Sequence, residues 1–186
     1  VVFALDALAN VWHSQRLLGE NDKERTKLSQ TMGAVIDTFY EDVEEPVIID
    51  KGRGWPIPTI LSAMTQVLGE KPKIVATVRS IPDCMASFVR VAKPDDLDEF
   101  IYSEALSTHL KAAYIAIQTG YEFAPECFCI VEYEDLVAEP KAQLGRIHEF
   151  LDLPDFEYDF TAIDGTSVQE DDEELHGYEG MHDIQP

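Results

Sequence analysis

Arg79 and Ser87 form the first pair in the chain whose types and spacing suggest chemistry. The arginine follows the apolar run Ile74-Val75-Ala76-Thr77-Val78, and the serine lies eight residues further on, beyond Pro82. At ~3.6 residues per turn, a helix opening near Pro82 brings the Ser87 hydroxyl back toward the end of that run. A guanidinium fork and a hydroxyl on one side of a turn can share a phosphate. Arg79 alone could equally be a structural ion-pair partner in so acidic a chain. Arg90, one turn beyond Ser87, reads better as a solvated arginine than as a third member. Two more residues hold comparable places: Lys51 follows Val47-Ile48-Ile49-Asp50, and Tyr133 follows the apolar run from Cys127 to Val131 and Glu132.

The elements that must position these residues are legible from periodicity. Val47–Ile49, Ile74–Val78 and Cys127–Val131 are short β-branched or apolar runs without alternation, as in parallel strands covered on both faces. Helical spacing predicts helices over Val2–Leu18, stopped by Gly19, and over about Asp22–Tyr40, with Asn21 as a cap and Leu28, Met32, Val35, Ile36 and Phe39 on one stripe. A third helix begins near Pro56, carries Ile57, Ile60, Leu61, Met64 and Leu68, and ends at Gly69. Pro82, with its preset φ and missing N–H, opens a fourth, with Ser80 or Ile81 just outside it and Asp83 near the positive end of its dipole. After the break Lys93-Pro94-Asp95-Asp96, a long helix is expected from about Leu97 to Gly120, with Leu106, Leu110, Ala113, Ile117 and the small Ala112 and Ala116 on one face. Pro140 starts another, with Leu144, Ile147, Phe150 and Leu151 along one side. From Leu153 the chain is acidic, aromatic and rich in turn formers, which predicts a surface-wrapping tail.

Strands each followed by a helix indicate an α/β domain with a parallel sheet and right-handed crossovers, and 186 residues with 45% hydrophobic content suit one domain over residues 1–186. In open sheets of this kind, ligands bind outside the carboxyl ends of the strands. Lys51, Arg79 and Tyr133 therefore converge on one crevice.

Composition narrows the partners. Thirty-six acids against 14 bases give a formal charge of −22, which repels nucleic-acid phosphates and makes any anion site a local one. Of Cys84, Cys127 and Cys129 the last two, inside an apolar run, read as buried thiols, and the five histidines form no cluster with metal-ligand spacing, so no metal is expected. Few cysteines point to a reducing, cytoplasmic setting, and no apolar run approaches the ~20 residues needed to span a bilayer.

The run Val78-Arg79-Ser80-Ile81-Pro82-Asp83-Cys84-Met85-Ala86-Ser87 resembles the 3′-phosphate-binding segment of sulfotransferases that use 3′-phosphoadenosine 5′-phosphosulfate (PAPS). The family's arginine falls on Arg79 and its serine on Ser87. The stretch from Val131-Glu132-Tyr133-Glu134-Asp135-Leu136 through Pro140 to Phe150-Leu151-Asp152-Leu153-Pro154 resembles the family's second recurrent block, whose nucleotide-contacting tyrosine maps onto Tyr133. Asp50-Lys51-Gly52-Arg53-Gly54-Trp55 is similar to the segment where many members carry an active-site lysine, here Lys51. Phe156-Glu157-Tyr158-Asp159-Phe160 and Gly180-Met181-His182 look like one microbial branch.

The resemblance implies a three-layer αβα domain of the P-loop NTPase-like kind. It implies sulfuryl transfer from PAPS, leaving adenosine 3′,5′-bisphosphate (PAP), to a hydroxyl or amine on a small-molecule or polymer acceptor. Arg79 and Ser87 would hold the 3′-phosphate, Tyr133 the nucleotide, and Lys51 the charge on the leaving oxygen. Arg53 is a second cation, with a structural role as its alternative, and Trp55 reads as core rather than substrate platform. The family's phosphosulfate-binding loop, rich in Gly, Pro, Arg, Ser and Thr, does not occur here and is expected before Val1. The general base is open among Asp6, His13 and several glutamates, while His176 and His182 could close over a substrate or lie on the surface. Two other readings remain: a non-catalytic nucleotide-binding or assembly domain of the same fold, and a P-loop small-molecule kinase, which would need a Gly-Lys-Ser/Thr loop.

Overall fold

The structure, a computed structural model, describes residues 22–44, 47–52 and 54–160. Its elements, in order, are helix α1 (Asp22–Phe39), helix α2 (Pro58–Leu68), strand β1 (Ile74–Val78), and helices α3 (Ile81–Ala92), α4 (Leu97–Ile101) and α5 (Glu104–Phe123). A 3-10 turn (Pro125–Cys127), strand β2 (Phe128–Glu132) and helices α6 (Tyr133–Ala138) and α7 (Pro140–Leu151) complete it. β1 and β2 pair as a two-stranded parallel sheet. Parallel neighbours need a long crossover, supplied here by α3, α4 and α5. The helix expected over Val2–Leu18 and the chain beyond Phe160 lie outside the described residues.

The backbone divides into two compact units. One takes the described residues up to Ala76 with Lys111–Cys129; the other takes Thr77–Leu110 with the described residues from Ile130 on. The first unit holds nearly all of the buried core: Met32 of α1, Leu61, Ala63 and Met64 of α2, Ala76 of β1, Ala116 and Ala124, and Cys127, Phe128 and Cys129. α1 packs on α2. α2 stops at Gly69, whose φ of 74° lies in the left-handed region open to glycine and whose N–H donates to the Thr65 carbonyl. Among the described residues of the second unit only Val131, at 0% exposure, is fully buried; α3 packs on α4, and α6 on α7.

Several expectations are corrected. Val47–Ile49 is not a strand: Val47, Ile48 and Ile49 are 42%, 47% and 82% exposed. A strand is defined by a ladder partner, and β-branched composition cannot create one. Lys51 therefore follows a segment without regular structure rather than a strand. The helix near Pro56 starts at Pro58, because residues 54–57 form a turn in which the Ile57 N–H bonds the Gly54 carbonyl. Ile57 and Leu68, expected on its buried face, are exposed, as is Phe39 on α1.

The long helix expected over Leu97–Gly120 is two helices, broken at Tyr102 and Ser103. Asp96 caps α4 by accepting from the Glu99 N–H at 2.9 Å, and Ser103, a residue type favoured at N-caps, precedes α5. Gly120 does not end α5 but lies inside it, which continues to Phe123. A Cβ on Gly120 would sit 2.0 Å from the Pro56 carbonyl oxygen and 2.9 Å from Phe128 Cζ. The glycine is there for close approach, not for termination. Cys127 belongs to the turn before β2 rather than to the strand; both it and Cys129 are buried, as expected.

Candidate functional site

The carboxyl ends of the two strands build the site. Val78 ends β1 and Arg79 follows at once; Glu132 ends β2 and Tyr133 is the first residue of α6. Parallel, paired strands put both residues at the same edge of the sheet. There the Arg79 guanidinium carbon lies 4.5 Å from the centroid of the Tyr133 ring, within cation-π range.

Arg79 is exposed and Tyr133 is 43% exposed, so both are open to a ligand. Glu132, Glu134 and Asp135 adjoin Tyr133 in sequence, yet among the described residues no carboxylate pairs with Arg79. Among the described residues the guanidinium's contact is thus the Tyr133 ring and not an ion pair. Ser80 stands at the N-cap of α3 without a side-chain cap bond, and Pro82 in the first turn has no N–H to satisfy. Asp83 is in that first turn, as expected. Ser87, half-buried, lies about two turns into α3 in the same unit as Arg79 and Tyr133. Arg90 is exposed in the last turn of α3, where a cation complements the helix dipole.

Lys51 lies in the other unit and is exposed. Trp55 is half-buried, with its ring folded toward Gly52: a Cβ on that glycine would lie 3.1 Å from it. Arg53, Asp6, His13, His176 and His182 fall outside the described residues.

Three supporting contacts were not legible in the sequence. Arg146 of α7 donates to the Ile130 carbonyl of β2, tying that helix to the strand that carries Tyr133. The His148 ring bonds at both nitrogens: Nδ1 donates to the Pro154 carbonyl (2.8 Å), which fixes the tautomer, and Nε2 accepts from the Tyr158 hydroxyl (2.6 Å). His148 thus fastens the segment that follows α7, where Phe156, Tyr158 and Phe160 form a chain of ring contacts. In the other unit Lys71 and Glu126 form an exposed ion pair. Their mutual hydrogen bond raises the Lys71 pKa and lowers that of Glu126, while burial raises that of the Cys127 thiol. Only an alternation of Phe, Tyr and Phe in the sequence hinted at any of these.

Among the described residues no group of three or more His, Cys, Asp or Glu side chains could hold a metal ion, and no helix is long and apolar enough to cross a membrane.

Residues 58–158, more than half of the chain, match the Sulfotransferase family. The chain belongs to the sulfotransferase family. Comparison with curated proteins and with solved structures gave no match. The matched span contains Arg79, Ser87 and Tyr133 and begins after Lys51. Membership suggests sulfuryl transfer in general, on an α/β fold.

Proposed function

We propose that this sulfotransferase moves a sulfuryl group from PAPS to a hydroxyl or amine of a small-molecule or polymer acceptor. It does so on a single three-layer αβα domain of the P-loop kind spanning residues 1–186. The observation that carries the reading is the Arg79 guanidinium. It stands at the carboxyl end of β1, over the Tyr133 ring at the end of β2, and unpaired with any described carboxylate in a chain of net charge −22.

An uncommitted arginine fork at a strand end, with a half-buried serine on the helix that follows, suits a phosphate ester. Arg79 and Ser87 are assigned to the 3′-phosphate, with the uncapped start of α3 adding N–H donors and a favourable dipole. Tyr133 is assigned to the nucleotide. The bound donor would supply the transferable sulfuryl group and a bisphosphate leaving group. Catalysis of such a transfer is chiefly positioning and charge stabilisation. Lys51, a compact ammonium on a flexible stem, is assigned to the negative charge that grows on the bridging oxygen.

Calorimetric titration of the intact protein with adenosine 3′,5′-bisphosphate tests the reading. Binding, with a raised melting temperature, is expected, and Arg79→Ala should abolish both. Absence of that binding, with ATP binding in its place, would overturn the sulfotransferase assignment.

A further inference from the structure

We infer that Tyr133 positions the Arg79 guanidinium for the ribose 3′-phosphate, and so sets selectivity for a bisphosphorylated nucleotide through the arginine rather than by touching that phosphate. The inference rests on the assignment of Arg79 proposed above.

An exposed arginine has many rotamers, and each hydrogen bond it makes to a ligand costs the freedom it had before. Among the described residues, the contact that restrains the Arg79 head is the Tyr133 ring, 4.5 Å from the guanidinium carbon. Contact over an aromatic face uses the cation without consuming its N–H donors in a carboxylate bond. Without the ring, Glu132, Glu134 and Asp135 on the same strand end and helix start would be free to capture the side chain. In so acidic a chain, that capture is the main hazard for an anion-binding arginine. Tyr133 is well placed to prevent it: as the first residue of α6, it is fixed by β2 behind it, and β2 is itself tied to α7 through Arg146. The guanidinium is thereby preorganised, which raises affinity by lowering the ordering cost at the moment of binding.

A tyrosine that only contacts the nucleoside would act equally on nucleotides with and without the 3′-phosphate. A positioning tyrosine acts on the difference between them. Intact wild type, Tyr133→Phe and Tyr133→Leu are titrated with adenosine 3′,5′-bisphosphate and with adenosine 5′-monophosphate. Tyr133→Phe, which keeps the ring, should hold the wild-type preference for the bisphosphate unchanged, and Tyr133→Leu should lose about twofold to fivefold of it. Tyr133→Gln, polar and non-aromatic, is the second variant should leucine not fold, with the same expected loss. Equal weakening of both nucleotides in Tyr133→Leu, an unchanged preference, or a loss in Tyr133→Phe as large as in Tyr133→Leu would each overturn the inference and leave the functional reading standing. Wild-type protein that binds neither nucleotide would overturn both.

Discussion

Two glycines of the same core unit should respond in opposite directions to one substitution. Gly120, inside α5, has the Pro56 carbonyl oxygen 2.0 Å and Phe128 Cζ 2.9 Å from where a Cβ would stand. The oxygen is backbone, and it belongs to a turn closed by the 3.0 Å bond from the Ile57 N–H to the Gly54 carbonyl, so it cannot swing aside as a side-chain tip would. Overpacking of a close contact costs typically about 1–3 kcal/mol, and the upper end applies where backbone must move. Alanine recovers about 1 kcal/mol of helix propensity. Gly120→Ala should therefore destabilise by about 2 kcal/mol net, a fall in melting temperature of about 4–8 °C for a chain of this length. Gly33, inside α1, has as its nearest neighbours Val67 Cγ1 and the Val67 carbonyl oxygen, both at 4.0 Å, an ordinary contact. Gly33→Ala should gain the propensity term alone, about 1 kcal/mol, and raise the melting temperature by about 2–4 °C. Thermal unfolding followed by circular dichroism reads both. A Gly120→Ala protein as stable as wild type, or more so, would refute the close crossing of α5 over the Pro56 turn.

Lys51→Ala should keep nucleotide affinity and lose sulfuryl transfer, read by calorimetry beside a labelled-donor assay; equal loss of both would remove Lys51 from the chemistry. The Lys71–Glu126 pair should contribute to stability only between two pH limits. The Glu126 pKa is lowered by the Lys71 hydrogen bond, so its share is present above the ordinary glutamate range and fades as pH falls through it. The Lys71 pKa is raised by the same bond, so its share is lost only in strong alkali. The melting-temperature difference between wild type and Lys71→Ala should accordingly vanish in acid, and a difference that grows there would contradict the pairing. For the thiols, native-state alkylation at neutral pH followed by mass spectrometry should label half-buried Cys84 before Cys127, which is buried with its pKa raised by that burial, and before buried Cys129. Cys127 labelling as fast as Cys84 would show that the β2 edge of the core is open.

What could be read in advance divides along a physical line. β1 over Ile74–Val78, the Pro82 helix and the Gly69 stop are local: a β-branched run, a preset φ and a residue free to adopt φ of 74° act within a few positions of themselves. The placing of Arg79 and Tyr133 at one edge needed only strand ends and the parallel rule, so that pairing was legible once two strands were. Val47–Ile49 failed because strandedness is a property of a pair. Gly120 failed because the same residue type serves helix termination and close approach, and only the carbonyl of Pro56, far away in sequence, distinguishes them.

The same division explains why the stack of Arg79 on Tyr133 was not foreseen although both residues were. Sequence locates an arginine and an acidic neighbourhood, and from those two facts an ion pair is as ready an expectation as an anion site. An exposed ion pair is worth little, so it does not compel the guanidinium toward Glu132 or Glu134. An aromatic face of comparable strength at the adjoining strand end can win the side chain without spending its donors. The ring is within reach because β1 and β2 are paired neighbours, a relation between segments far apart in sequence. It keeps the guanidinium's N–H donors out of a bond to any described carboxylate in a protein of net charge −22.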